Sequence, residues 1–171
     1  MMTSDGGAVT IERMAALDSK SAEMQLTGFL DKFTPEIAAS AKSILAAMRA
    51  RLPGAVQLVY DNYNALAIGF GPSRRASEAV FSIAVYPRWV SLFFLQGARL
   101  ADPAELLKGS GSVAKHIVLA SADDLDKPEV LDLMHRAMRA VEIPIDPNAQ
   151  GELVIQSVSA KQRPRRPALK D

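Results

Sequence analysis

Cysteine is absent from this 171-residue chain, which removes disulfides, thiolate nucleophiles, zinc ribbons and iron–sulfur clusters at once. Two histidines leave little for an imidazole-rich metal site, so any metal would be held mainly by oxygen. No apolar run approaches the roughly 20 residues that span a bilayer. Residues 1–7 are polar, unlike a basic segment followed by an apolar signal core. A cytoplasmic protein without membrane contact is expected. Also missing are a nucleophile beside a base, a carboxylate pair at readable spacing and a cofactor fingerprint, and an enzyme is therefore the least supported class.

What is present is enough apolar material, 49% of residues, to fill one substantial core. The charge is uneven. Between residues 161 and 171 stand five basic side chains (Lys161, Arg163, Arg165, Arg166 and Lys170) and one acid, whereas residues 1–160 hold 15 basic and 18 acidic ones. A mildly acidic body with a basic end is expected: an arm over residues 1–20, one domain over 21–160, and a basic, proline-rich tail over 161–171.

Within the domain, Met24, Leu26, Phe29, Leu30 and Phe33 suit one face of a helix over residues 21–33. A second helix is announced by Thr34 as cap and Pro35 at the first position, and it ends at Pro53-Gly54. Residues 55–60 and 65–70 read as a hairpin about the turn formers Asp61 to Asn64. Residues 80–86 and 89–95 follow as two more strands, the second apolar on both sides and hence central. Asp102-Pro103-Ala104-Glu105 resembles a capping box opening a short helix that stops at Gly109. A strand over 116–120, a helix over 124–141 begun around Pro128, and a last strand over 153–158 complete the order. Turns this short exclude helical crossovers between the middle strands. The predicted fold is α+β: a mainly antiparallel sheet of about five to six strands with helices packed on one face.

Three segments (residues 53–71; 86–116; and 159–167, with Arg163-Pro164-Arg165-Arg166-Pro167) resemble a bacterial branch of the YdhG-like domain-of-unknown-function family, from whose Tyr-Gly-Met-Pro-like turn this chain departs at Tyr60-Asp61-Asn62-Tyr63. The likeness would span residues 21–167. It implies the fold just described rather than a reaction. One branch of the family is proposed to act as frataxin-like iron chaperones, which makes iron the one cofactor the resemblance suggests.

Four groups of residues invite chemistry. Tyr60, Asp61, Asn62, Tyr63 and Asn64 at one turn could meet Tyr86, Arg88 and Trp89, giving the mix of amphipathic rings and fixed polar groups that lines ligand clefts; ordinary turn chemistry is the alternative. Lys108, Gly109, Ser110 and Gly111, near Lys115 and His116, could cradle an anion, or simply stop a helix. Asp123, Asp124, Asp126 and Glu129 could hold iron through oxygen, or cap a helix whose dipole favours acids there. In the tail, Lys161, Arg163, Arg165 and Arg166 could contact nucleic-acid phosphates, or form a solubilising arm or one that packs on its own or a partner subunit, a homodimer included. His116 and His135 read as structural or surface residues. The favoured reading is a non-enzymatic module that binds a small molecule or a protein; the alternatives are an iron-binding chaperone and a nucleic-acid-associated protein working through its tail.

Overall fold

The computed structural model describes residues 5–169. Its first helix, α1 (Asp5–Leu30), reaches far upstream of residue 21. Helix formers such as Ala15, Ala16 and Leu17 extend it without the amphipathic period that marks the following turns. Much of the segment read as an arm is thus helical, and residues 1–4 lie outside the described residues. Helix α2 (Pro35–Arg51) starts as predicted, with the Thr34 hydroxyl accepting from the Ile37 amide at 3.4 Å. It stops where Leu52 bonds back to Met48 and Gly54 turns to φ +81°.

Six strands follow: β1 (Val56–Asp61), β2 (Leu66–Gly71), β3 (Phe81–Val85), β4 (Val90–Phe94), β5 (Lys115–Leu119) and β6 (Glu152–Val158). They form one sheet in the order β5-β4-β3-β2-β1-β6. Strands β1 to β5 pair antiparallel through short connections, as expected. Strand β6 joins β1 in parallel, so the sheet is mixed. Its parallel direction follows from the long excursion through helix α3 (Pro128–Ala140), which returns the chain to the end of the sheet where β1 began. Strand β4 is interior but one place in from the edge.

Register and the two-residue alternation of strands assign each side chain to a face. Val59, Ile68, Ile83, Leu92 and Ile117 form one continuous row, and Leu66, Val85, Val90 and Leu119 the next. All are buried, together with Leu26 and Leu30 of α1, Ile44 and Met48 of α2, and Leu133 and Met134 of α3. The three helices therefore cover this face and build the core. Burying each large aliphatic or aromatic side chain contributes about 1.5–3 kcal/mol, and Phe81 and Phe94 add an edge-to-face contact at 5.4 Å.

The short helix expected after Asp102 does not form. Both Asp102 carboxylate oxygens accept backbone amides as a cap would, but from Leu106 (3.0 Å) and Leu107 (2.8 Å), beyond the reach of a helical cap. Glu105 sits at φ +54°, which breaks the helical path. Lys108 instead pairs with His116 by two backbone bonds, lengthening the β5 edge. The helix expected over 124–141 is likewise split into a tight 3-10 turn, Ala122–Asp126, and α3 proper, because Pro128 can only start a helix. No helix of the described residues is long and apolar enough to cross a membrane.

Candidate functional site

The face of the sheet turned away from the helices carries an unusual set of residues. Its rows read Tyr60–Ala67–Ala84–Ser91–Val118 and Leu58–Gly69–Ser82–Phe93–His116. Tyr86 and Trp89 continue the alternation of β3 and β4 onto the same side and stack at 4.7 Å with 22° between their planes. Phe93 and His116 lie 5.0 Å apart. Trp89 is 44% exposed and Tyr63, in the adjoining β1–β2 turn, 49%. The floor between the rings is made of short side chains.

Only part of this face is covered. The loop after β2 folds across its lower corner, where Arg74 grips Glu152 with two bonds of 2.6 and 2.7 Å. A Cβ on Gly71 would meet Ala79 at 2.9 Å, so glycine is what allows that loop to lie so close. The two predicted turns, at Asn62 to Asn64 and Pro87-Arg88, stand at the opposite, open end, on neighbouring hairpins joined through Leu66 and Val85. Tyr60, Tyr86 and Trp89 thus stand at one end of this face, with Tyr63 and Arg88 in the turns at that end.

Asp61 is not among them. It occupies the core-facing row beside Leu66, Val85 and Val90 and is 0% exposed. A carboxylate there must be compensated, and the C-terminal segment supplies the compensation. Arg165 Nη2 donates to it at 2.9 Å and Lys32 Nζ at 3.0 Å. Gln162 accepts from Lys32 at 3.2 Å and donates to the Asp61 carbonyl at 3.0 Å. Arg165 also reaches the Asn62 carbonyl and is only 5% exposed. Burial pushes the Asp61 carboxyl up, but hydrogen bonding from Gln162, Lys32 and Arg165 outweighs it and holds the group below the usual carboxylate value.

The segment read as a tail is therefore folded onto the body. Arg166 donates to the Lys32 carbonyl at 3.2 Å, and Arg163 lies 5.5 Å over the Tyr63 ring. Lys161 stays exposed. Sequence reasoning allowed the tail to pack on its own subunit but missed the partner, since Asp61 and Arg165 are 104 residues apart. Ser91 was missed as well. The residue, 1% exposed, belongs to the face turned away from the helices, and its buried hydroxyl finds no partner. The visible signal was the alternation Trp89–Ser91–Phe93 within a strand read only as apolar on both sides.

The other candidate groups are engaged locally. In the glycine-rich loop Gly109 takes φ +114°, and the Lys115 ammonium donates to the Gly109 carbonyl, occupying the cation an anion would use. Asp124 accepts from the Ala120 amide at 2.7 Å and pairs with Lys127 at 3.0 Å. Lys127 holds its carboxyl below the usual value. Asp126 pairs with Arg51. Asp123 and Glu129 are exposed. Among the described residues no three His, Asp or Glu side chains group as metal ligands. A cleft of about 240 Å³ opens at the covered end of the molecule, between the start of β3, the end of β4 and the end of α3, lined by Val80, Phe94, Ala137 and Val141 with Glu78, Arg99 and Glu142 among its polar residues. None of the residues singled out from the sequence lines it.

No family model matches the chain, and neither a curated protein nor a solved structure is significantly similar to it.

Proposed function

We propose that the protein is a binding module, not an enzyme, and that its ligand lies on the helix-free face of the sheet over Tyr60, Tyr86, Trp89 and Phe93. One observation carries this reading: the three tyrosines and the single tryptophan all stand on this face or at its open end, while Phe33, Phe70, Phe81 and Phe94 fill the core. Rings with a polar edge are suited to a surface that is apolar to a partner and wet when free. The same reading takes the chain as a cytoplasmic, YdhG-like domain, supported by its lack of cysteine and by the segments that resemble that family.

Because Trp89 is the only tryptophan, its fluorescence reports on this face alone. A screen of metabolites, nucleotides, peptides and metals should yield a ligand that both raises the melting temperature and alters Trp89 emission. Tyr60→Ala or Tyr86→Ala should weaken that binding. Ligands that raise the melting temperature without touching Trp89 emission would move the site elsewhere, the α3 cleft first.

A further inference from the structure

We infer that the occupant of this face is a short stretch of single-stranded nucleic acid, an inference that rests on the binding reading above. The rings form separate stations. Trp89, just before β4, and Phe93 within it are four residues apart, roughly 13 Å, and Tyr60 is two strands away from β3, roughly 10 Å. Between them stand the short side chains of Ala67, Ala84 and Ser91, the last two buried, so a base would stack on the partly exposed rings themselves. A sheet surface of this size with aromatic stations holds about two or three bases.

The charges match. Arg88 is exposed in the turn between Tyr86 and Trp89, and Arg163 lies over Tyr63. The only acid at a strand position of this face is Glu152, at the covered corner and already bound by Arg74. Cations interleaved with rings and free of competing carboxylates suit phosphates joined to stacking bases. They do not suit an acidic peptide, which offers charge without flat rings. A duplex hides its base faces, so the strand must be single. Of the basic tail expected to take this role, Arg165 is committed to Asp61 and Arg166 to the Lys32 carbonyl, which leaves Arg163 at this end of the sheet.

The test is anisotropy of a labelled ten-nucleotide oligodeoxythymidylate titrated with the full chain at several salt concentrations. Inorganic polyphosphate of equal charge and a ten-base-pair duplex serve as competitors, and quenching of Trp89 by the unlabelled strand is the second readout. Binding should fall with salt with a log–log slope near −1.4, about −0.7 for each of the two phosphates that Arg88 and Arg163 would neutralise. Trp89→Leu and Phe93→Ala should each weaken it roughly tenfold, within the range expected for losing one stacked base. Arg88→Ala should make the slope shallower by about 0.7. Both Trp89 and Arg88 are exposed, so their variants keep the fold. Competition by polyphosphate or duplex as strong as by the single strand would overturn the inference. So would absence of oligonucleotide binding; if another ligand from the screen still altered Trp89 emission, the binding reading would stand while this one fell.

Discussion

Removing Arg165 should be among the most damaging single changes available in this protein. Its guanidinium is the shorter of two contacts to a carboxylate with no solvent exposure, and truncation to alanine leaves Asp61 charged, buried and held by Lys32 alone. Breaking a buried pair from one side costs about 3–5 kcal/mol. Lys32 stays in place and is partly exposed, which keeps the effect at the lower end, about 3 kcal/mol. In a chain of this size each kcal/mol moves the melting point by about 2–4 °C. A fall of roughly 6–12 °C in calorimetry is expected for Arg165→Ala. Arg165→Lys should fall between, since an ammonium cannot span the Asp61 carboxylate and the Asn62 carbonyl as a planar fork does. The cycle with Asp61→Asn separates the pair from mere loss of packing: the double variant should be less destabilised than the sum of the singles. A drop under about 2 °C, or strictly additive singles, would refute the reasoning.

Acid should act through the same group. The folded carboxyl of Asp61 is held below its unfolded value of 3.8, so its stabilisation is fully present above that pH and is lost as pH falls through the lower folded value. The gap in melting temperature between the native chain and Asp61→Asn should be flat near neutrality and close in strong acid. Gly54→Ala should prevent stable folding, because the residue has φ +81° and a Cβ would lie 1.9 Å from the Asp146 carbonyl oxygen; circular dichroism and solubility report the outcome. Asp102→Ala should lose two amide partners and about 1–2 kcal/mol, with faster hydrogen exchange at Leu106 and Leu107 as the specific sign. Arg74→Ala should leave the melting point unchanged, its pair with Glu152 being exposed on the arginine side.

The six strands and the positions of α2 and α3 were legible because each is written locally, as alternation between Pro- and Gly-containing breaks or as a cap followed by a helical period. What escaped was whatever needs a distant partner. Asp102 carries a cap signal, but only the left-handed turn at Glu105 and the pairing of Lys108 with His116 decide that no helix follows. Arg165 reads like any solvated base in a proline-rich run until Asp61 is placed opposite it. Likewise, Tyr60, Tyr86 and Trp89 could be suspected of meeting, yet nothing in their spacing says which side of the sheet the helices leave bare. Asp61 shows the converse. It was grouped with its turn neighbours by adjacency, and the alternation of β1 sends it inward.

The clasp also sets a schedule. With 104 residues between Asp61 and Arg165, a ribosome adding about 5–20 residues per second delivers the arginine roughly 5–20 s after the aspartate. For most of that interval β1 lacks its β6 neighbour, and until Arg165 arrives Lys32 is the one cation beside the carboxylate. The hairpins and α2 can assemble during synthesis, but closure of the sheet waits for the last segment to be made. A nascent chain that stalls before Glu152 would present an unpaired strand edge and an incompletely neutralised core acid, features that chaperones and proteases recognise in unfinished chains.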